Sequence, residues 1–369
     1  MFTHEHINAI TLSCIEGISL TNLLRLYKAL GSATAVLQPD ALRQVTEIED
    51  SQRERWQQVL DSRDEAVRRA GEQAEFCEHY GIQVLAFNDD DYPVLLRQCV
   101  DAPLVIYFQG NVSLNHAHMI SVVGTRNITE YGKDVCRHFC ADLRQLLPDA
   151  VVVSGLAYGV DICTHRAALE NGCSTIGVVA HGNDRIYPGL HRATAKQMIR
   201  QGGILTEYLI HTQPRAENFV RRNRIIAGLT AATIVVESAK KGGALITARL
   251  AQDYNRSVFA FPGRATDVYS EGTNKLIADN GAALITSAQD FVEQMSWQPV
   301  KAVVQREIFP QLTDDEKIVV ELLKASEQLS INQLAQVAQC RVQQLSALLF
   351  QLEMKGIVRS IGAGFYRLL

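Results

Sequence analysis

The middle of the chain, residues 81–295, alternates short apolar runs with amphipathic stretches. Each run is nearly continuous in apolar residues, as in strands that are buried on both faces of a parallel sheet. The stretches between the runs have the apolar period of helices. This alternation predicts an α/β domain with a doubly wound parallel sheet, in which ligands bind outside the carboxyl ends of the strands. The predicted strands are 119–123, 150–154, 174–179, 203–206, 232–237 and 257–260.

The pattern before residue 81 is helical. A glycine-containing turn at 15–18 leads into an apolar helical face over 19–30, and Gly31-Ser32 ends that helix and caps the next. We predict a SAM-like or helix-hairpin-helix domain over residues 1–80. It carries 8 Lys/Arg against 13 Asp/Glu. This acidic balance favours a packing or partner-docking module, with duplex DNA binding as the alternative.

The last part of the chain predicts a second small domain. Residues 296–311 contain Pro299 and Pro310 and show little periodicity, so we predict a linker there. Residues 312–369 predict three helices followed by a β-hairpin at Gly362-Ala363-Gly364, which is the pattern of a winged helix. Six Lys/Arg balance six Asp/Glu in it. The sequence therefore permits two functions for this winged helix, contact with another protein and contact with DNA.

Composition and charge exclude several classes of protein. The net charge of −4 supplies no overall field that would attract nucleic acid, so an anion site needs local charge. Residues 1–10 do not resemble a signal peptide, and no apolar run approaches the roughly 18 residues of a membrane span. The eight cysteines are scattered without a CxxC pair. We expect a cytoplasmic protein with reduced thiols, without a metal and without a membrane partner.

Small and polar residues follow the predicted strands, where the carboxyl ends meet. Glycines there admit a close backbone approach and helix N-termini offer N–H donors, so a phosphate is the expected ligand. The chain has neither a GxGxxG nor a GxxxxGK[ST] motif. We therefore expect no nicotinamide or ATP cofactor. The clusters are Gly124-Thr125-Arg126, residues 154–161, residues 181–184, residues 238–243 and Pro262-Gly263-Arg264.

The strongest signal is residues 219–229, where three arginines within four residues follow Phe219. Residues 214–264 carry nine Lys/Arg against three Asp/Glu, a local charge of +6. A charge run is usually a solvated face, but arginine forks match phosphates and a ring stacks on any base. We predict single-stranded DNA binding at this rim. The candidate residues are Gly124, Thr125, Arg126, Ser154, Gly155, Arg215, Phe219, Arg221, Arg222, Asn223, Arg224, Lys240, Lys241, Gly242 and Arg256.

Catalytic candidates are weaker than the binding signal. His165 follows Asp161 by one helical turn, which permits an Asp–His contact, although a helix cap with a structural hydrogen bond is the simpler interpretation. No Ser/His/Asp triad or nucleophile elbow stands out in the sequence. A binding protein is therefore favoured over an enzyme.

Over about residues 90–285, which include the strand-end clusters and residues 219–229, the chain resembles the DNA-processing protein A (DprA/Smf) family. The motifs occur in the order of the family, and the helical N-terminus and winged helix resemble its longer members. The matching stretches are 92–96, 123–126, 154–157 with 159–161 and His165, Tyr187-Pro188, Gly203 with Thr206-Glu207, Phe219 with 222–229, Gly242 with 245–248, 258–263, and 272–274 with 276–277 and 281–282.

The resemblance implies an extended Rossmann fold that binds single-stranded DNA without catalysis or cofactor. It implies a homodimer through the Rossmann-like domain, protection of DNA that enters during natural transformation, and handover to a RecA-type recombinase. The family's pocket corresponds here to Arg126, the Ser154-Gly155 loop, and Phe219 with Arg222-Asn223-Arg224. Lys241-Gly242-Gly243 departs from the family's Ser-Gly-Ser, so two hydroxyls are lost and one charge is gained.

Two other functions fit the sequence less well. A nucleotide-processing phosphoribohydrolase would carry a Pro-Gly-Gly-x-Gly-Thr loop with a catalytic glutamate in the next turn, and Lys241-Gly242-Gly243-Ala244 has neither the proline nor the glutamate. A winged-helix transcription regulator that senses a nucleotide would bind duplex DNA tightly and at specific sequences.

Overall fold

The structure is a computed structural model that describes residues 2–15, 17–38, 41, 56–60, 63–298, 312–324, 326, 328–362 and 364–368. The chain divides into two compact units, Met1–Ala302 and Val303–Leu369. Most of the predicted linker, residues 299–311, lies outside the described residues. Within the described ranges, no helix combines the length and the apolar character needed to cross a membrane.

The first unit contains a nine-stranded sheet and the helices around it. Its strands are β1 (Gln83–Ala86), β2 (Val105–Gly110), β3 (Met119–Val123), β4 (Val151–Ser154), β5 (Ser174–Val178), β6 (Gly202–Thr206), β7 (Ala232–Val235), β8 (Ser257–Ala260) and β9 (Ala283–Leu284). Its helices are α1 (His4–Cys14), α2 (Leu20–Leu30), α3 (Ala33–Val36), α4 (Asp64–Tyr80), α5 (Val94–Arg97), α6 (Glu130–Leu146), α7 (Val160–Glu170), α8 (Arg192–Gln201), α9 (Ala216–Leu229), α10 (Gly243–Asp253), α11 (Glu271–Ala278) and α12 (Ala288–Gln294).

The sheet confirms the predicted α/β class and its parallel core. The strand order is β1-β2-β6-β5-β4-β3-β7-β8-β9, and the seven strands from β6 to β9 pair in parallel. Strand β2 pairs antiparallel with both β1 and β6, an extension that the sequence pattern did not predict. The chain places β4, β5 and β6 on one side of β3 and then crosses to β7 on the other. The order in which the chain adds strands therefore reverses between β3 and β7. Open α/β sheets form a binding crevice at such a point.

Burial on both faces explains the continuous apolar runs. Met119 and Val123 of β3 belong to one apolar core, and Ile120 and Val122 belong to the core on the opposite face. The N-terminal helices share the first core, because Ile10 and Tyr27 pack in the same cluster as Tyr107 of β2. These helices therefore pack into the same unit as the sheet.

The second unit is a winged helix, as predicted. Its helices are α13 (Asp314–Lys324), α14 (Ile331–Val337) and α15 (Val342–Met354), and its strands are β10 (Leu329–Ser330), β11 (Val358–Gly362) and β12 (Phe365–Leu368). The strands form an antiparallel sheet in the order β10-β12-β11. Ser330 caps α14 with a reciprocal bond to Gln333, and Leu345, Leu349 and Leu352 of α15 are fully buried in the core of this unit.

Candidate nucleic-acid interface

A cleft of about 240 Å³ opens next to β3 and β7, where the strand order reverses. The loop after β3 forms one wall with Gly124, Thr125 and Arg126, and α9 forms another with Phe219 and Arg222. The turn that leads into α10 adds Ala239, Gly242 and Gly243. The cleft therefore lies at the carboxyl ends of the strands, where the sequence places the phosphate-type loops.

Close backbone packing fixes the loop that carries Arg126. Gly159 has a φ of +80°, and a Cβ built on it would lie 2.1 Å from the Thr125 carbonyl oxygen. The Val160 N–H donates to that same oxygen at 3.1 Å. On the same residue, the Thr125 N–H donates to the Glu237 carbonyl oxygen at 2.8 Å. Glycine is required at position 159 by both its conformation and its surroundings, and the result is a rigid support for Arg126.

Arg222 lies inside the protein beneath this loop. Its side chain donates to the Gly155 carbonyl oxygen at 2.8 Å, to the Val178 carbonyl oxygen, and to the Asn223 Oδ1 at 3.3 Å. Burial lowers the pKa of Arg222 to about 10, against the opposing effect of the Asp161 carboxylate. The guanidinium therefore stays charged at neutral pH. Its hydrogen bonds tie α9 to the ends of two strands, and a phosphate would have to compete with them.

Phe219 contacts two guanidinium groups. The ring centroid is 5.4 Å from the Arg126 guanidinium carbon and 5.9 Å from that of Arg222. The Tyr187 ring lies 5.9 Å away. Phe219 is half-buried, whereas Arg126 is exposed at the mouth of the cleft. A cation over the face of an aromatic ring is attracted to the ring. The two arginines therefore hold the Phe219 ring in place, and part of the ring remains exposed to solvent.

The other two arginines of α9 face a different groove. Arg224 is buried, and it donates to the Asp101 carbonyl oxygen at 2.5 Å and to the Glu207 carboxylate. Arg221 is more exposed, and its Nε lies 3.7 Å from the Glu207 Oε1. Both line a groove of about 850 Å³ between the sheet rim and the N-terminal helices. The three arginines therefore do not converge on one ligand.

The remaining candidates are divided between the cleft and other parts of the unit. Lys240 and Lys241 are exposed on the loop next to Gly242. Ser154 is fully buried below the cleft and donates to the Val122 carbonyl oxygen at 2.7 Å. Arg215 lines a separate groove beside α4. Arg256 lies at the amino end of β8, where it donates to the Leu95 carbonyl oxygen at 2.9 Å, so it is not part of the cleft.

Two acidic residues support the rim of the sheet, and the sequence analysis singled out only one of them, Glu207. The Glu237 carboxylate accepts hydrogen bonds from the Thr129 N–H at 3.0 Å and from the Thr129 hydroxyl at 2.5 Å, and so anchors the start of α6. Glu207 neutralises Arg224 in the neighbouring groove. Glu207 directly follows β6, and Glu237 lies two residues after the end of β7. A position at the carboxyl ends of the strands is the signal that could have identified Glu237.

Asp161 and His165 are not hydrogen-bonded to each other. The His165 Nδ1 is hydrogen-bonded to the Thr175 hydroxyl at 2.7 Å, and burial lowers the pKa of His165 to about 3. The Asp161 carboxylate accepts from the Ala157 N–H at 3.3 Å and faces Arg222. Among the residues that the structure describes, no cluster of three or more His, Cys, Asp or Glu is arranged to hold a metal ion.

Comparison with known proteins identifies two families along the chain. Residues 83–296 match the family described as DNA recombination-mediator protein A, and residues 309–364 match the DprA winged helix domain. A curated relative, DNA processing protein DprA of Bacillus subtilis, is 39% identical over 216 residues, which are 58% of this chain and 72% of the relative.

Two solved structures are similar to this one. The DNA processing protein A (DprA) structure from Streptococcus pneumoniae has a TM-score of 0.65 and 29% identity, and covers 80% of this chain and 99% of its own. The structure from Helicobacter pylori, reported for its single-stranded DNA binding mode, has a TM-score of 0.53 and 30% identity, and covers 59% of this chain and 97% of its own. With a family match over more than half of its length, the chain belongs to the DNA recombination-mediator protein A (DprA/Smf) family.

Proposed function

We propose that this protein binds single-stranded DNA, independently of sequence, in the cleft between β3 and β7. The observation that carries the proposal is the half-buried Phe219 ring at the cleft, with the guanidinium groups of Arg126 and Arg222 within 6 Å of its centroid. A ring stacks on any base, and cations at the cleft mouth contact the phosphates that flank it. The relative from Helicobacter pylori, which is described as binding single-stranded DNA, supports the same function here.

We assign different roles to the proposed site residues. Arg126, Phe219, Asn223, Lys240 and Lys241 contact the strand, and the glycines at 124 and 242 admit its backbone close to the protein. Arg222 is a positioning residue, because its guanidinium is occupied by main-chain carbonyl groups. Arg221 lies on the side of α9 that faces the second groove. We place Arg215, Arg224 and Arg256 outside the contact surface.

The proposal is tested by binding of oligo(dT), a duplex and a mononucleotide to the full chain and its variants. Arg126→Ala and Phe219→Ala should each weaken oligo(dT) binding, with unchanged thermal unfolding. Arg137→Ala is the matched control, because Arg137 is an exposed arginine on α6 that pairs with Asp134. Oligo(dT) binding that stays at the wild-type level in both cleft variants would exclude the cleft as the site. Tight binding of the mononucleotide alone would indicate a small-molecule site instead.

We further propose that the protein acts in the cytoplasm as a DNA-binding partner of a RecA-type recombinase, without catalysis, during natural transformation. Its domains in this proposal are residues 1–80, 81–295 and 312–369, joined by a linker at 296–311, and the Rossmann-like domain forms a homodimer. The family membership supports this function. Recombinase loading onto protein-coated single strands, with and without this protein, tests the partnership, and sedimentation of the full chain tests the dimer.

A further inference from the structure

Two exposed tyrosines continue the aromatic surface of the cleft beyond Phe219. Tyr187 is 46% exposed, and its ring centroid lies 5.9 Å from that of Phe219. Tyr158 is 44% exposed, and its ring packs edge-to-face with His191 at 5.1 Å between the centroids. Because an exposed ring stacks on any base, the surface available for stacking reaches past the cleft towards His191.

Hydrogen bonds fix both tyrosines at the rim of the sheet. The Tyr187 N–H donates to the Nε2 atom of the buried His181 at 3.1 Å. The His191 Nδ1 and the Leu156 carbonyl oxygen are hydrogen-bonded at 2.9 Å. This bond ties the loop that carries Tyr158 to the residue that directly precedes α8. The two rings are therefore held at the same end of the sheet as the cleft, next to the start of α8.

Helix α8 carries a row of cations away from this point. Arg192, Lys196 and Arg200 are all exposed and follow one another by four residues, so they lie along one face of the helix. We call these three residues the α8 row. Successive members are separated by about 6 Å along the helix axis, a distance that one nucleotide of an extended strand spans. Helix α8 contains no acidic residue, and in the part of the chain that the structure describes no carboxylate pairs with the α8 row.

The cleft also adjoins the larger groove beside the N-terminal helices, because Val220 and Ile246 line both. The arginines of α9 in that groove are less available to phosphates. Arg224 is paired with Glu207, and the Arg221 Nε lies 3.7 Å from the same carboxylate. A phosphate in the groove would compete with Glu207 for these cations, whereas a phosphate at the α8 row would break no ion pair of the described residues.

We propose that a single strand bound in the cleft continues over Tyr187 and Tyr158 and along the α8 row, with bases on the two rings and phosphates on the cations. This inference rests on the proposed function and extends it, because it assigns a second group of contacts to the same strand. Two observations identify the occupant as DNA that leaves the cleft. The α8 row is complementary in charge to phosphates, and the rings that lead to it continue a surface that begins at Phe219.

Binding of oligo(dT) of increasing length, from about 4 to about 16 nucleotides, tests the α8 row. Arg192→Ala combined with Lys196→Ala should weaken binding of the longest strand about tenfold, and log K should fall less steeply with log salt, by about 0.7 for each lost phosphate contact. The loss should shrink as the strand is shortened, because a short strand occupies the cleft alone. Arg25→Ala combined with Lys28→Ala is the matched control, because it removes the same charge from exposed positions of α2.

The length series separates this inference from the proposed function. Arg126→Ala should weaken binding at every length. If the wild-type chain binds no length of oligo(dT), the proposed function fails and the inference fails with it. If Arg126→Ala weakens binding but the α8 double variant binds the longest strand as tightly as the wild type, the cleft remains the site and the inference is wrong. Equal weakening by the α8 and α2 double variants would show a general effect of charge and would also overturn it.

The stacking role of Tyr187 has its own test. Tyr187→Ala removes the ring and should weaken binding of the longest strand about tenfold with an unchanged salt dependence, whereas Tyr187→Phe keeps the ring and should bind as the wild type does. Equal losses in the two variants would contradict stacking. A photoreactive thymidine at one end of the strand should cross-link to a peptide within residues 187–196. Cross-links to the N-terminal helices alone, from either end, would show that the strand takes the opposite direction.

Discussion

Arg222 and Arg126 both approach the Phe219 ring, but burial gives the two residues different roles. The Arg222 guanidinium is enclosed and donates to main-chain carbonyl groups at 155 and 178. Arg126 lies exposed at the cleft mouth. Removing a buried donor leaves its acceptors unsatisfied, so a change at Arg222 affects folding as well as binding. A loss of DNA binding on mutation of Arg222 is therefore informative only when it is measured together with stability.

His165 gives the protein a stability that depends on pH. Burial lowers its folded-state pKa from the ordinary 6.5 to about 3, so the folded protein excludes a proton that the unfolded chain accepts below pH 6.5. The unfolded state binds more protons between these two values, and stability therefore falls as the pH drops from 6.5 towards 3. One fully buried group of this kind contributes a slope of about 1.4 kcal/mol per pH unit.

We expect His165→Asn to flatten the dependence of the unfolding free energy on pH between 6.5 and 4. Urea denaturation at several pH values measures this slope. His138→Asn is the control, because His138 is an exposed histidine on α6. His181 is also buried with a lowered pKa, so the difference between variant and wild type, and not the absolute slope, isolates His165. Equal slopes for His165→Asn and wild type would refute the assignment.

At the scale of secondary structure, α9 separates two surfaces. Phe219 and Asn223 line the cleft, whereas Arg221 and Arg224 line the larger groove beside the N-terminal helices. The sequence predicted the helix and its cationic start, because its apolar anchor residues follow the arginines directly. It could not predict which arginine is buried, because their acceptors come from Gly155, Val178, Asp101 and Glu207, all distant along the chain.

The strands show the same limit of sequence reasoning. All six predicted strands are present, because burial on both faces produces continuous apolar runs of a recognisable length. Strand β9 has two residues and no period to detect. Strand β2 has an apolar run of its own, but its antiparallel pairing with β6 depends on the complete sheet. Local pattern therefore identified the parallel core of the sheet and the rim where the cleft lies.

The junction between β4 and α7 supports a prediction about Gly159. We expect Gly159→Ala to destabilise the protein by at least about 2 kcal/mol, since alanine is strained at positive φ and its Cβ meets the Thr125 carbonyl oxygen. The shift of that loop should also weaken oligo(dT) binding in conditions where the variant remains folded. Gly189→Ala is the matched control, because no heavy atom lies within 4 Å of a Cβ at that position. Similar thermal unfolding of both variants would contradict this account.

At the scale of the whole molecule, local charge has to overcome a net charge of −4. A protein of this charge repels a polyanion at long range and attracts it only near its cationic cleft. Short-range phosphate contacts then dominate the affinity, and each of them releases counterions from the strand. The dependence of binding on salt therefore reports the number of phosphate contacts, separately from base stacking.

This separation distinguishes the roles of Arg126 and Phe219. For single strands, log K falls with log salt by about 0.7 for each phosphate contact. We expect Arg126→Ala to reduce the steepness of that slope by about 0.7 if one phosphate contact is lost. Phe219→Ala should weaken binding by about 1–3 kcal/mol at every salt concentration, with the slope unchanged, because stacking releases no counterions. Oligo(dT) titrations across a salt series measure both quantities. A changed slope for Phe219→Ala with an unchanged slope for Arg126→Ala would reverse the two roles and reject this arrangement of the strand in the cleft.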